Sequence, residues 1–137
     1  QALDIAAETA PRPLTLAEIT ALQAGKTGAL ITFSATAGAL LAGTDPAPLA
    51  AYAGALGLAF QIADDILDVE GDASKAGKKL GKDAAAGKAT FVSHLGLDGA
   101  KRRARALIDE AEAALLPYGD AADCLREAAR FVIAREN

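Results

Sequence analysis

The apolar residues of this chain recur at helical spacing along most of its length, and no useful stretch alternates as a half-buried strand does. Thr15, followed three residues later by Glu18, forms a capping box that predicts the start of a long helical stretch. We expect this stretch to run to about Gly43, with a break near Gly25.

A second long helix is predicted from Asp45, because an aspartate followed by a proline makes a favourable N-cap and first turn. Its apolar period continues to about Gly71. Residues 72–87 are rich in glycine and lysine without a convincing apolar period, so they are predicted to form a loop.

The last third of the chain predicts three shorter helices: Thr90 to Leu95, Asp98 to about Leu116 before Pro117, and Asp120 to about Arg135. The packed face of the middle one is expected to consist of small and aliphatic residues, namely Ala100, Ala104, Leu107, Ala111 and Leu115. The sequence therefore predicts an all-α fold, with residues 1–137 forming a single helical region.

Composition excludes several classes of function. The net charge of −4 argues against general nucleic-acid binding. The single cysteine, Cys124, cannot form an internal disulfide, which favours a reducing, cytoplasmic compartment. The single histidine, His94, excludes metal sites built from His or Cys clusters, so any metal must be a hard ion bound by oxygen.

The most apolar run, residues 28–43, could suggest a membrane span, but it is shorter than the roughly 20 residues that a bilayer requires. Small residues make up half of it, and Thr32, Ser34 and Thr36 lie inside. We therefore predict a buried helix packed closely through Ala and Gly, and no membrane span.

Residues 57–69 (GLAFQIADDILDV) carry the candidate chemistry. On a helix of 3.6 residues per turn, Gly57, Gln61, Asp64 and Asp68 share one stripe, while Asp65 lies at its edge. The other positions are apolar, whereas an ordinary surface helix has a broad face of mixed charges. We interpret the stripe as the lining of a polar cavity inside the fold.

Three carboxylates within one turn repel one another, and burial increases that cost, so a cation must compensate. Magnesium suits such a position because it binds a few carboxylates, several waters and substrate phosphates. The stripe therefore predicts a magnesium site at Asp64, Asp65 and Asp68. The alternative is an acidic surface turn that binds nothing.

Lysines in two places could complete the neutralisation of a phosphorylated ligand. Lys26 opens the apolar helix, where an ammonium group is unusual without an anionic partner. The predicted loop and the residue that follows it supply the rest: Lys75, Lys78, Lys79, Lys82 and Lys88. A solvated, charged connection remains the alternative for most of these loop lysines.

Taken together, these motifs resemble those of the trans-prenyltransferase family. The resemblance spans nearly the whole chain and is nearest to the bacterial farnesyl-forming members. It rests on five motifs in order: Gln1-x-x-Asp4, Lys26-Thr27-Gly28, Phe60-Gln61-x-x-Asp64-Asp65-x-x-Asp68, Gly77-Lys78-x-x-Gly81-x-Asp83 and Gly87-Lys88-x-Thr90. Each motif is weak alone, but the ordered set is specific.

The resemblance implies a helical bundle of the isoprenoid synthase type around a deep cavity, with Mg²⁺ as cofactor. In that family the first aspartate of this motif, here Asp64, binds one magnesium ion. Asp65 and Asp68 would act through water or through neighbouring groups.

The resemblance also implies how the substrates bind. Lys26 and Lys78 would hold the allylic diphosphate, with Thr27 and Gln61 lining the same site and Lys88 as a weaker candidate. The implied reaction is condensation of this diphosphate with isopentenyl diphosphate to a longer trans-prenyl diphosphate, farnesyl favoured over geranylgeranyl. A homodimer is the expected assembly.

One departure from the family is large, because the first aspartate-rich motif and its accompanying arginines are absent from these 137 residues. Family members are about twice as long, and this chain contains no methionine and begins within a motif. We therefore expect a C-terminal half whose partner is the missing N-terminal half of the same protein.

Two alternative functions remain open. A class I terpene cyclase would share the helical fold and the magnesium chemistry, although its second metal motif ordinarily has a different form. A non-catalytic subunit of a prenyl synthase is the other, but retention of Lys26, Asp64 and Lys78 argues against it.

Overall fold

The computed structural model describes residues 12–76 and 89–135, and the regular elements of these two stretches are all helical. A π-helical turn, Ala24–Gly28, joins the first two helices, and a 3-10 segment, Leu116–Ala122, precedes the last one. The α-helices are α1 (Leu16–Gln23), α2 (Ala29–Leu41), α3 (Ala47–Ala76), α4 (Phe91–Ala114) and α5 (Asp123–Ala134). The prediction of an all-α fold is confirmed.

Both predicted N-caps of the first half are present. The Thr15 side chain accepts the Glu18 N–H, and the Glu18 carboxylate accepts the Thr15 N–H at 2.8 Å. Asp45 accepts the N–H of Ala47 at 2.9 Å. Each cap satisfies an N–H group that a helix start would otherwise leave without a partner.

The expected break near Gly25 is a π-helical turn, so α1 and α2 form one continuous helical stretch. A π turn inserts one extra residue into a helix, which changes the direction that the following side chains face. This turn carries Lys26, Thr27 and Gly28.

The predicted end of the second long helix at Gly71 is wrong, because α3 continues to Ala76. One glycine costs only about 1 kcal/mol within a helix, and the alanines and lysine that follow favour helix. The rest of the predicted loop, residues 77–87, lies outside the described residues.

The two predicted helices after residue 89 are the two arms of α4, which bends at Gly96. Gly96 adopts φ 69° and ψ 162°, which only glycine adopts readily. The predicted packed face is confirmed, since its residues are at most 2% exposed: Ala100, Ala104, Leu107, Ala111 and Leu115.

The prediction that Asp120 caps the last helix is wrong. Residues up to Ala122 form the 3-10 segment, in which Gly119 has a positive φ of 52°, and α5 begins at Asp123. Arg126 stabilises this turn by donating to the carbonyl oxygens of Gly119 and Leu115 at 2.8 and 3.2 Å.

The core lies mainly between α3 and α4, where alanines on both helices allow close packing. The predicted burial of residues 28–43 is wrong for this chain: only Thr36 and Ala39 of α2 are buried, while Leu30, Phe33 and Leu41 are 69%, 66% and 91% exposed. No helix within the described residues is long and apolar enough to cross a membrane.

Candidate active site

The site begins where α3 crosses the π-helical turn. A Cβ atom at Gly57 would lie only 3.3 Å from the Cα of Gly28 and 3.6 Å from the Cδ1 of Ile31. The two backbones can approach this closely because neither glycine has a side chain. The first residue of the predicted stripe therefore brings α3 against the Lys26-Thr27-Gly28 motif.

One turn further along α3, the side chain of Gln61 reaches the same motif. Gln61 is 9% exposed, and its Nε2 donates to the hydroxyl of Thr27 at 3.3 Å. Lys26 precedes Thr27 in the π turn and is exposed. The structure thus brings together two motifs that lie 34 residues apart in the sequence.

Asp64 has a cationic partner on the last helix. Its Oδ1 accepts a hydrogen bond from Nη2 of Arg135, the C-cap residue of α5. The guanidinium carbon of Arg135 also lies 4.3 Å from the ring centroid of Phe60, a cation–π geometry. The Asp64 side chain remains 45% exposed and that of Arg135 is 17% exposed.

Asp65 faces a different neighbour, as its position at the edge of the stripe predicts. Its Oδ2 accepts the N–H of Phe91, the first residue of α4, at 2.7 Å. A carboxylate at a helix N-terminus interacts favourably with the helix dipole and satisfies a free N–H group. Asp65 therefore ties α3 to the start of α4.

Asp68 is exposed, and no salt bridge of Asp68 occurs within the described part of the chain. Within residues 12–76 and 89–135, no three His, Cys, Asp or Glu side chains are grouped to hold a metal ion. The donor set fits a magnesium ion bound through one carboxylate, with water and substrate phosphates completing its shell. Asp64 is the candidate, because its side chain is 45% exposed and shares the stripe with Gln61, which contacts the lysine-bearing turn.

The other predicted site residues, Lys78 and Lys88, lie outside the described residues, as do Gln1 and Asp4. Among the predicted site residues that the structure describes, Thr27, Gln61 and Asp64 come together on one side of α3.

Sequence reasoning missed Arg135, which it treated only as the approximate end of the last helix. Arg135 lies 71 residues from Asp64, and the pattern of α5 contains no signal for that pairing. The contact of Asp65 with Phe91 was also missed, although Asp65 already differed from Asp64 in its direction on the helix.

A cavity of about 250 Å³ lies beside the stripe, between α3, α4 and α5. Glu70 and Lys101 line it and form a salt bridge with each other. Its apolar lining comes from Ala63, Ile66, Leu67, Ala104, Ile133 and Ala134. Arg135 lies between this cavity and Asp64.

Comparison with known proteins identifies a family. The family model described as polyprenyl synthetase matches residues 1–115. Farnesyl diphosphate synthase of Escherichia coli (strain K12) is 45% identical over 119 residues, which are 84% of this chain and 39% of the relative. Geranylgeranyl diphosphate synthase of Cyanophora paradoxa is 36% identical across 100% of this chain and 46% of its own.

Among solved structures, an FPP/GFPP synthase from Zymomonas mobilis superimposes with a TM-score of 0.83 at 47% sequence identity. The superposition covers 96% of this chain and 43% of that one. That structure has the all-α isoprenoid synthase fold, and this chain shares the fold over the superimposed part. This chain spans less than half the length of these relatives.

The close crossing at Gly57 gives a matched test on one helix. We expect Gly57→Ala in the complete protein to force α3 away from Gly28 and to lower the free energy of unfolding by about 1–3 kcal/mol. The exposed Gly54 has nothing within 4 Å of an added Cβ, so Gly54→Ala should stabilise by about 0.5–1 kcal/mol. Urea unfolding of both variants measures this, and equal effects would contradict the crossing geometry.

Proposed function

Since this chain belongs to the polyprenyl synthetase family, we propose that it forms the C-terminal half of a prenyltransferase. The complete enzyme condenses an allylic diphosphate with isopentenyl diphosphate and releases a longer trans-prenyl diphosphate. Farnesyl diphosphate is the favoured product, because several relatives are named as farnesyl diphosphate synthases, one of them 45% identical to this chain.

The observation that carries the proposal is the meeting of two motifs beside Asp64. The hydrogen bond from Gln61 to Thr27 holds the lysine-bearing π turn against the acidic stripe of α3. A diphosphate needs both kinds of group, since carboxylates bind it through a metal and ammonium groups bind its oxygens directly. A purely structural helix has no need of this combination.

In the proposed mechanism, Lys26 and Lys78 bind the diphosphate of the allylic substrate. Their charges stabilise the negative charge that grows on this group as its bond to carbon breaks. Thr27 and Gln61 orient it, because each fixes the polar atoms of the other. Lys88 is a further candidate for the same diphosphate.

Asp64 is the residue that would hold Mg²⁺ in this half of the site, with Asp65 and Asp68 acting through water or neighbouring groups. The ion would supply further electrostatic stabilisation of the departing diphosphate. The apolar positions around the stripe exclude water, so the allylic cation meets the double bond of isopentenyl diphosphate instead. The carbocation that this attack forms loses a proton, for which the departed diphosphate is a basic acceptor, and inorganic diphosphate is released with the product.

A class I terpene cyclase was the main alternative from sequence. Relatives of this chain are named as farnesyl and geranylgeranyl diphosphate synthases, which supports chain elongation over cyclisation. The cytoplasmic location and the homodimer remain predictions from sequence.

The missing N-terminal half is the partner that this proposal requires. The face of α2 opposite α3 exposes Leu30, Phe33 and Leu41, a larger apolar surface than a single helix normally leaves in water. The relatives are more than twice as long as the segment matched here, so they have the chain length to cover such a face.

The two adjacent aspartates provide the first test. Asp64→Ala in the complete enzyme should lower turnover on the order of a hundredfold or more, since it removes the proposed metal ligand. Asp65→Ala should lower turnover less than Asp64→Ala does. It should instead lower the free energy of unfolding by about 1 kcal/mol, because the N–H of Phe91 loses its acceptor. Steady-state kinetics and thermal unfolding measure both effects. Equal losses of turnover, or a larger one for Asp65→Ala, would contradict the different roles.

The lysines provide the second test. Lys26→Ala and Lys78→Ala should each raise the Michaelis constant for the allylic diphosphate roughly ten- to a hundredfold, since a charge-assisted hydrogen bond is worth about 1.5–3 kcal/mol. Lys101→Ala is the control, because its ammonium group pairs with Glu70 outside the stripe. Michaelis constants that stay unchanged in both test variants would refute the proposed diphosphate site.

The 137-residue chain by itself provides the third test. We expect it to self-associate through the exposed apolar face of α2 and to be catalytically inactive, since one half of the site cannot hold the full magnesium–diphosphate assembly. Sedimentation velocity and a radiolabelled condensation assay measure these two properties. A stable monomer that turns over substrate would contradict both expectations.

A further inference from the structure

Arg135 holds its position through two contacts and leaves one polar atom unsatisfied. Its Nη2 donates to Asp64, and its guanidinium stacks on the ring of Phe60. Its Nε is buried and has no hydrogen-bond partner among the described residues. A buried donor without an acceptor is unfavourable. The pairing of Arg135 with Asp64 therefore stabilises the protein less than it would if every donor of the guanidinium had an acceptor.

The same side chain has space beside it. Arg135 lines the cavity of about 250 Å³ between α3, α4 and α5, together with Arg105 and the Glu70–Lys101 salt bridge. This volume exceeds what a guanidinium needs, since one water occupies about 30 Å³. The cavity therefore offers room to an arginine that leaves Asp64, although Glu70 already pairs with Lys101.

A divalent ion and the guanidinium cannot both lie against the Asp64 carboxylate without strong mutual repulsion. Two positive centres within about 4–5 Å of each other repel, and the repulsion is reduced by solvent where the site is partly exposed. Arg135 already occupies one oxygen of Asp64 in this structure. Occupancy by the arginine and by a metal ion should therefore be alternatives.

We propose that Arg135 is a positioning residue that pairs with Asp64 until a divalent cation binds there and then leaves that carboxylate for the space of the adjacent cavity. The proposal rests on the proposed role of Asp64 as a metal ligand. Before metal binds, the arginine offsets the repulsion between Asp64 and its neighbouring aspartates and fixes the carboxylate. Because the metal ion must displace the arginine, the apparent affinity of the Asp64 site for the ion is lower than it would be without Arg135.

The test measures Mn²⁺ binding to the complete enzyme by electron paramagnetic resonance, in the presence of inorganic diphosphate. Arg135→Gln removes the competing charge, so the site that depends on Asp64 should bind Mn²⁺ roughly two- to fivefold more tightly. The expected gain in Mn²⁺ affinity is small because the Asp64 side chain is 45% exposed, so solvent screens its interaction with Arg135. Arg135→Lys keeps the charge and should stay within about twofold of the wild-type affinity.

Two controls separate this effect from a general one. Arg130→Gln removes an arginine of the same helix that pairs with Glu112 instead, and it should leave Mn²⁺ affinity unchanged. Asp64→Asn should abolish one Mn²⁺ site, and Arg135→Gln should then have no further effect on binding. This pair of variants tests direct competition, because a structural disturbance would act in either background.

The failures are distinguishable. If Asp64→Asn leaves the number of bound Mn²⁺ ions unchanged, the proposed metal role of Asp64 is wrong. If that variant loses a site but Arg135→Gln binds Mn²⁺ with wild-type or weaker affinity, only the inference about Arg135 is wrong.

A measurement on the unmodified enzyme avoids any dependence on the folding of Arg135→Gln. The ¹⁵Nε–¹Hε resonance of Arg135, identified by its loss in Arg135→Lys, should shift when Mg²⁺ and inorganic diphosphate are added. A resonance that does not move while the metal binds would overturn the inference.

Discussion

Helix α3 is buried on most sides and yet carries polar groups along one stripe, and each of these groups must find a partner or remain in contact with solvent. Gln61 donates a hydrogen bond to Thr27, and Asp64 accepts one from Arg135. Asp65 accepts the N–H of Phe91. These partners belong to three different elements: the π turn, α5 and the start of α4. The polar stripe of one helix therefore determines where three other segments meet it.

This constraint connects the architecture to the proposed chemistry. The π turn lies close to α3 where Gly57 crosses Gly28. This crossing requires small residues at both positions, in addition to the hydrogen bonds described above. The C-terminal end of the last helix carries an ion pair whose acidic member is the proposed metal ligand. Some of the contacts between helices thus involve the same groups that substrates and metal would use.

Much of this arrangement could be predicted from local sequence. The capping box at Thr15 and the cap at Asp45 gave correct helix starts because an N-cap depends on residues at most three positions away. The packed face of α4 followed from the helical period alone. The stripe of α3 was also local, and its interpretation as a diphosphate site came from the resemblance of five ordered motifs.

The parts that could not be predicted depend on contacts between distant residues or on small energy differences. Whether α3 ends at Gly71 or continues to Ala76 depends on about 1 kcal/mol, which packing and the following residues decide. The start of α5 depends on Gly119 and on how Arg126 satisfies the carbonyls of that turn. The pairing of Arg135 with Asp64 joins residues 71 positions apart, and no periodic pattern in the sequence indicates it.

The exposed face of α2 shows why burial is a property of the whole assembly and not of a helix alone. Its sequence is apolar on nearly every side, which predicted a buried helix, but the described part of this chain covers only one face of it. Leu30 and Phe33 remain exposed because α3 packs on the opposite side. An apolar pattern gives the amount of surface that must be covered, whereas the identity of the covering segment depends on residues outside that helix. The described helices of this chain leave that face of α2 uncovered, and an exposed apolar face of this kind is typical of an interface.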